Sequence, residues 1–240
     1  MVFQPHDFEH SWIAMSSDNP TPRSGKIPEN GGTLPAIEEL SIPIGDLRVI
    51  VRSPTHRSEC SERISFWWGI TSAAVALSRH LASMGDLSGH RAIELGCGLG
   101  LAGITAGILG ARVSLTDYVP EAIEFAGENA RLNGLDEERV SCMLLDWERH
   151  DNLPSFSLIL GSEILYDYFF HGVLLDLLRR ILAPGGTILL ADRPRLAVSR
   201  FMGRMRDIGF QCREMRAHVD LQPFPPQEIS IFHLTTGRDR

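Results

Sequence analysis

From residue 91 the chain alternates short apolar runs with amphipathic stretches, the pattern of strands and helices laid down in turn. Ala92–Leu95 predicts a strand and Leu101–Leu109 a helix; Arg112–Thr116 and Pro120–Leu132 repeat the pair. The second helix opens with proline in its first turn and closes at Asn133-Gly134, start and stop signals of the expected kind. Val140–Leu145 and Ser157–Gly161 read as strands, and a helix near Phe169–Leu182 stops at Pro184-Gly185-Gly186. Thr187–Ala191 is a fifth strand, an amphipathic helix near Leu196–Ile208 follows, and Gln211–Ala217 and Glu228–Leu234 complete the set. Seven strands with helices between the first five predict an α/β fold: a doubly wound, mostly parallel sheet with ligands at the carboxyl ends of its strands.

Upstream, Glu38–Ile44 and Leu47–Arg52 flank a Gly45-Asp46 turn and predict a β-hairpin; residues 72–82 predict a helix with Ser72 as its cap. Residues 1–35 are polar and rich in proline and glycine, which predicts a flexible segment, although Trp12 and Ile13 could dock on the body. The organisation expected is therefore 1–35 flexible and 36–240 a single domain, with 36–65 a hairpin extension and 66–240 the doubly wound core. At 240 residues and 43% hydrophobic, the chain is long enough for that core.

Charge and cysteines narrow the function. A net charge of −7 argues against a general nucleic-acid binder, which needs a basic face, although Arg193, Arg195, Arg200, Arg204 and Arg206 are clustered locally. Arg200, Arg204 and Arg206 read as a solvated helix face or as a docking surface for an acidic protein. Cys60, Cys97, Cys142 and Cys212 have no metal-ligand spacing, so no metal is expected and a reducing, cytoplasmic setting is. No signal peptide and no membrane span is expected either.

The chemistry concentrates at Arg91–Gly100, an apolar run holding Glu94 and ending in the alternating glycines Gly96, Gly98 and Gly100. A strand, a glycine turn and a helix starting at Leu101 would bring free backbone N–H groups and a positive helix end to one point. Glycine is needed where a nucleotide approaches backbone with no Cβ between. Asp117, ending the second strand, could accept hydrogen bonds from a ribose diol. Gly98 to Gly103 also matches the dinucleotide pattern G-x-G-x-x-G, so an NAD-dependent oxidoreductase is one reading. Three features favour S-adenosylmethionine instead. Glu94 could meet an ammonium, which the NAD pyrophosphate lacks; Asp146-Trp147 could hold an adenine amino group and face; Pro184-Gly185-Gly186 sits before the fifth strand.

On these motifs, residues 91–191 resemble the class I, seven-β-strand, Rossmann-like S-adenosylmethionine-dependent methyltransferases. The fourth strand ends Gly161-Ser162-Glu163-Ile164-Leu165-Tyr166. Glu163-x-x-Tyr166 resembles the Asp/Glu-x-x-Tyr/Phe motif of that fold's protein-lysine methyltransferases, such as the calmodulin, electron-transfer-flavoprotein and chaperone enzymes. Phe66-Trp67-Trp68-Gly69 resembles their aromatic segment ahead of the first helix, and Arg193 or Arg195 their arginine after the fifth strand. The resemblance implies Glu163 and Tyr166 as catalytic residues. It implies Trp68, Glu94, Gly96, Gly98, Gly100, Asp117, Tyr118, Asp146, Trp147 and Ser162 as cofactor-binding ones. Glu163 would orient an incoming amine, while Tyr166 with Trp67 or Trp68 would line its channel.

The implied partner is a protein lysine side chain, acted on by a monomer. A small-molecule amine of the nicotinamide type is the alternative, and a catalytically silent cofactor-binding module a third. Plainer roles stand beside these: Glu163 as a cap, Tyr166 and Tyr168 as core rings, Trp67 and Trp68 as structural aromatics, His80 and His171 as surface or packing residues.

Overall fold

The computed structural model describes residues 37–54, 67–149, 153–221 and 225–237. The segment 1–35, with Trp12 and Ile13, lies outside the described residues, as do Cys60 and Phe66.

Strands β1 (Ile37–Ile44) and β2 (Leu47–Pro54) form the expected antiparallel hairpin. Helix α1 (Ser72–Met84) follows, capped by Thr71, whose hydroxyl accepts from the amide of Ala74 at 3.1 Å. The cap is one residue earlier than expected, and Ser72 is buried inside the first turn.

Next come β3 (Arg91–Leu95), α2 (Leu101–Ile108), β4 (Arg112–Asp117), α3 (Pro120–Leu132), β5 (Val140–Leu144) and β6 (Phe156–Ser162). The chain closes with α4 (His171–Ile181), β7 (Leu182–Asp192), α5 (Leu196–Asp207), β8 (Phe210–Val219) and β9 (Gln227–Thr236). The main sheet runs β5-β4-β3-β6-β7-β9-β8, parallel except for β9, which is antiparallel to both neighbours. The order reverses between β3 and β6, the topological switch point at which such sheets bind ligands.

Pro184-Gly185-Gly186 does not precede the fifth strand but lies within β7, which begins at Leu182 opposite Phe156. The pairing slips between Phe156 and Leu158, and Gly185 takes φ +72°; the motif is an irregularity in the ladder that lets the strand start early.

Alternation in the central strands feeds two cores. Ala92, Leu115, Leu160 and Leu189 face the layer of α1, α2 and α3; Ile93, Leu95, Ile159 and Leu190 face that of α4 and α5. Both faces of β3 are covered, hence its nearly unbroken apolar run. The hairpin buries Ile42, Ile44, Val49 and Val51 in the first core. The outer edge of β2 is tied down by the side-chain amides of Asn129 on α3 and of Asn133, which caps its C-terminus. Asn133 exchanges hydrogen bonds with both backbone groups of Ile50, and Asn129 with those of Arg52. Asn129 also donates to the carbonyl of Leu99 at 3.1 Å, so one buried amide joins hairpin, helix and glycine turn.

Candidate active site

At the carboxyl edge the chain leaves β3 through Gly96, Gly98 and Gly100, with φ of +62°, +51° and +84°. Other residues adopt this left-handed region only at a cost. At Gly98 a second constraint applies, because a Cβ there would lie 2.8 Å from the carbonyl oxygen of Trp67. Two carboxylates hold the turn. Asp117 accepts from the amides of Gly98 at 2.9 Å and Val119 at 3.1 Å; Glu94 accepts from Gly103, in the first turn of α2, at 2.7 Å. Burial raises the carboxyl of Asp117 against the pull of its amide donors, and pushes Glu94 up to about 8. Glu94 is therefore a brace beneath the turn, 1% exposed and committed to a backbone amide, and does not lie open on the cofactor side.

The other candidates ring this turn. Tyr118 follows Asp117 and is well exposed. Asp146 is exposed and accepts from the amide of Glu148 at 3.0 Å, an Asx turn that lets Trp147 double back. Trp147 is half-buried near Gly96, and meets Phe170 edge to face at 6.0 Å between ring centres. Trp67 is taken into the core against Phe125, centroids 5.6 Å apart, so its indole does not line a channel. Trp68 stays half-buried, its carbonyl accepting from the Ser53 hydroxyl.

The acceptor side is built at the ends of β6 and β7. Ser162 pairs with Ala191, and the next residue, Glu163, has φ +55°, the sole left-handed non-glycine among the described residues. This reversal turns Ile164 inward, over Gly96 and Gly161, and sends Glu163 toward β7; a Cβ on Gly161 would lie 2.4 Å from the Ile164 Cδ1. Such a conformation persists only where the surroundings over-determine it. Here the Glu163 amide donates to the carbonyl of Ala191 at 2.9 Å, and the Leu165 amide to Asp192 at 3.2 Å. The Glu163 carboxylate takes the Arg193 Nε at 3.0 Å and an Arg195 amino group. Arg195 also pairs with Asp192, which is fully buried. Burial and the charge of Glu163 raise the Asp192 carboxyl to about 6, Arg195 and the Leu165 amide pulling the other way.

Tyr166 and Tyr168 are about half exposed and so are not core rings, while burial of part of the Tyr166 ring raises its hydroxyl. His171 is the packing residue, with Nε2 2.9 Å from the carbonyl of Leu165 and its ring against Phe201.

The structure thus brings Gly96, Asp117, Trp147, Ser162, Glu163 and Tyr166 to one edge, with Glu94 beneath it. Sequence reasoning missed Asp192, Ile164 and Phe170. Asp192 could have been found, because it ends an apolar strand as Asp117 does.

The turn fits a nucleoside cofactor. Gly96, Gly98 and Gly100 keep Cβ atoms away, and an ionised Asp117 has acceptor capacity beyond the amides of Gly98 and Val119.

Comparison with known proteins agrees. The profile of a family described as lysine methyltransferase matches residues 61–207. The chain is 33% identical to the protein N-lysine methyltransferase METTL21A of Danio rerio, over 82% of this chain and 91% of the relative. It is 34% identical to the protein-lysine N-methyltransferase rrg1 of Schizosaccharomyces pombe, over 83% of this chain and 70% of the relative. Among solved structures, the magnesium protoporphyrin IX methyltransferase of Synechocystis PCC 6803 with bound SAM superposes with TM-score 0.55 over 68% of this chain and 78% of its own, at 15% identity. At that identity the likeness is one of fold.

Proposed function

We propose, from the premise that this chain belongs to the lysine methyltransferase family, that it moves the methyl group of S-adenosylmethionine to the side-chain nitrogen of a lysine in a protein substrate. In this reading Gly96, Gly98 and Gly100 offer the backbone on which the cofactor rests. Asp117 holds the ribose, and Tyr118, Trp147 and Ser162 border it. The cofactor supplies an electrophilic sulfonium methyl group.

The single observation that carries the acceptor role is Glu163, forced to φ +55° and clamped by two arginines at the sheet's carboxyl edge. A lysine ammonium has no lone pair and must shed a proton before it can attack. With all four groups ionised, Glu163 and Asp192 against Arg193 and Arg195 sum to zero charge. The Glu163 carboxylate then offers an amine a hydrogen-bond acceptor without a net negative field that would hold it as ammonium. Tyr166 walls the approach, and its half-exposed position leaves water within reach to carry the proton off.

The exposed rim of Tyr118, Tyr166 and Phe169 suits a long side chain presented by a protein. The described cysteines, Cys97, Cys142 and Cys212, are free thiols, in keeping with a cytoplasmic enzyme. The test is transfer of labelled methyl from S-adenosylmethionine to a lysate of cells lacking this protein. Label on a protein band, recovered as methyl-lysine after hydrolysis, is expected; label confined to the small-molecule extract would overturn the reading.

A further inference from the structure

The loop beyond Tyr166 carries an unusual surface. Phe169 is 90% exposed and Tyr168 about half exposed, in a short 3-10 turn leading into α4. Facing them, the first turns of α5 present Leu196, 61% exposed, and Arg200, whose guanidinium lies 5.4 Å from the centre of the Tyr168 ring. Leu196, Arg200 and Arg204 follow at intervals of four and share one side of the helix. Among the described residues, neither Arg200 nor Arg204 has a carboxylate partner. The nearby acidic residue Asp167 is engaged with the amide of Phe169 at 2.9 Å, and Asp207, in the same last turn of α5 as Arg204, forms no ion pair with it.

An apolar knob beside arginines that no carboxylate neutralises, on a chain of net charge −7, runs against the molecule's own charge. Such a local reversal selects partners by complementarity. The surface is also continuous with the acceptor edge. Asp167 and Tyr168 alone separate Phe169 from Tyr166 along the chain, and Arg195, which pairs with Glu163, immediately precedes α5.

We propose that Phe169, Leu196 and Arg200, with Arg204 behind them, form a docking lip for an acidic stretch of the protein substrate, an apolar side chain within that stretch packing on Phe169. The proposal rests on the protein-lysine reading above.

Its test uses two fluorescein-labelled peptides, each with one lysine, one flanked by glutamate and leucine and the other by glutamine and serine at the same positions. Binding is read by anisotropy with S-adenosylhomocysteine present, and methyl transfer is read in parallel. The acidic peptide should bind about tenfold more tightly, a preference that fades as salt is added. Arg200→Glu should abolish the preference, and Phe169→Ser should weaken the acidic peptide by about three- to tenfold, both with unchanged S-adenosylhomocysteine affinity. Equal binding of the two peptides, or equal weakening of both by Arg200→Glu, would overturn the lip. Label on the lysine of either peptide upholds the lysine reading even then. Absence of label on both peptides and on every lysate protein counts against that reading, while anisotropy still decides the lip.

Discussion

Glu94 and Asp192 are both buried carboxyl groups at the carboxyl edge of the sheet, one beneath the glycine turn and one behind Glu163. Their surroundings differ. Glu94 has one amide donor and a second carboxylate, Asp117, nearby, so burial prevails and its carboxyl rises to about 8. Asp192 has Arg195 and two amides, which hold it to about 6 despite burial and Glu163. Burial thus raises the carboxyl on the cofactor side further than the one on the acceptor side, which keeps an ion pair with Arg195. One half is built from backbone and glycine, the other from long charged side chains, so the two can be damaged separately.

The harshest way to break the comparison is Gly98→Ala. The methyl would meet a backbone carbonyl and force a left-handed alanine, so S-adenosylhomocysteine affinity should fall by at least about a hundredfold, with a stability loss of about 2–4 kcal/mol. Calorimetric titration and thermal melting measure the two; near-normal binding would show that the turn is no cradle. Next in size is Glu163→Ala. Turnover should drop about a hundredfold, while S-adenosylhomocysteine affinity stays within about threefold. Parallel losses of both would mean that the two halves act as one.

The two braces differ in pH dependence as well. Each titrates higher in the folded chain than in the unfolded one, so each contributes stability that is full in acid and is lost as pH rises. The loss begins near the ordinary carboxyl range and runs through about 6 for Asp192 and through about 8 for Glu94. In urea unfolding across a pH series, Asp192→Asn should remove the part that ends early, on the order of 3 kcal/mol, and Glu94→Gln the part that continues toward 8, on the order of 5 kcal/mol. A decline unchanged in either variant would reject its assignment to that carboxyl.

Much of the cofactor half was legible in the sequence because its constraints are local. A glycine at every second position after a strand reports a backbone conformation, and Asp117 reports a strand end. The helices and the main strands were legible for the same reason, through their periodicity. The acceptor half depends on partners far apart in the chain. Arg195 meets Glu163 from 32 residues away, and Leu165 meets Asp192 from 27. No local pattern announces such pairs, so Glu163, Arg193 and Arg195 could each be named from the resemblance while the ion pairs that join them could not. Trp67 illustrates the same limit, since only the placement of Phe125 on α3 decides that its indole packs inward. The early start of β7 was hidden because Pro184-Gly185-Gly186 reads as a turn, and only pairing with Phe156 draws it into the ladder.

The mildest test asks whether the two halves communicate. Trp147 lies near Gly96 on the cofactor side and meets the ring of Phe170, which belongs to the acceptor loop, edge to face. Edge-to-face pairs contribute about 0.5–1.5 kcal/mol beyond burial. Phe170→Ala removes that ring and leaves Glu163, its arginines and the glycine turn untouched. If Trp147 is steadied from the acceptor loop, S-adenosylhomocysteine affinity should fall by about three- to fivefold, with tryptophan fluorescence showing a more mobile indole. If affinity and fluorescence are both unchanged, the halves share an edge of the sheet but not a mechanical connection through Trp147. Ile164, wedged over both Gly96 and Gly161, would then be the next side chain to test for coupling, beside the β3–β6 ladder itself.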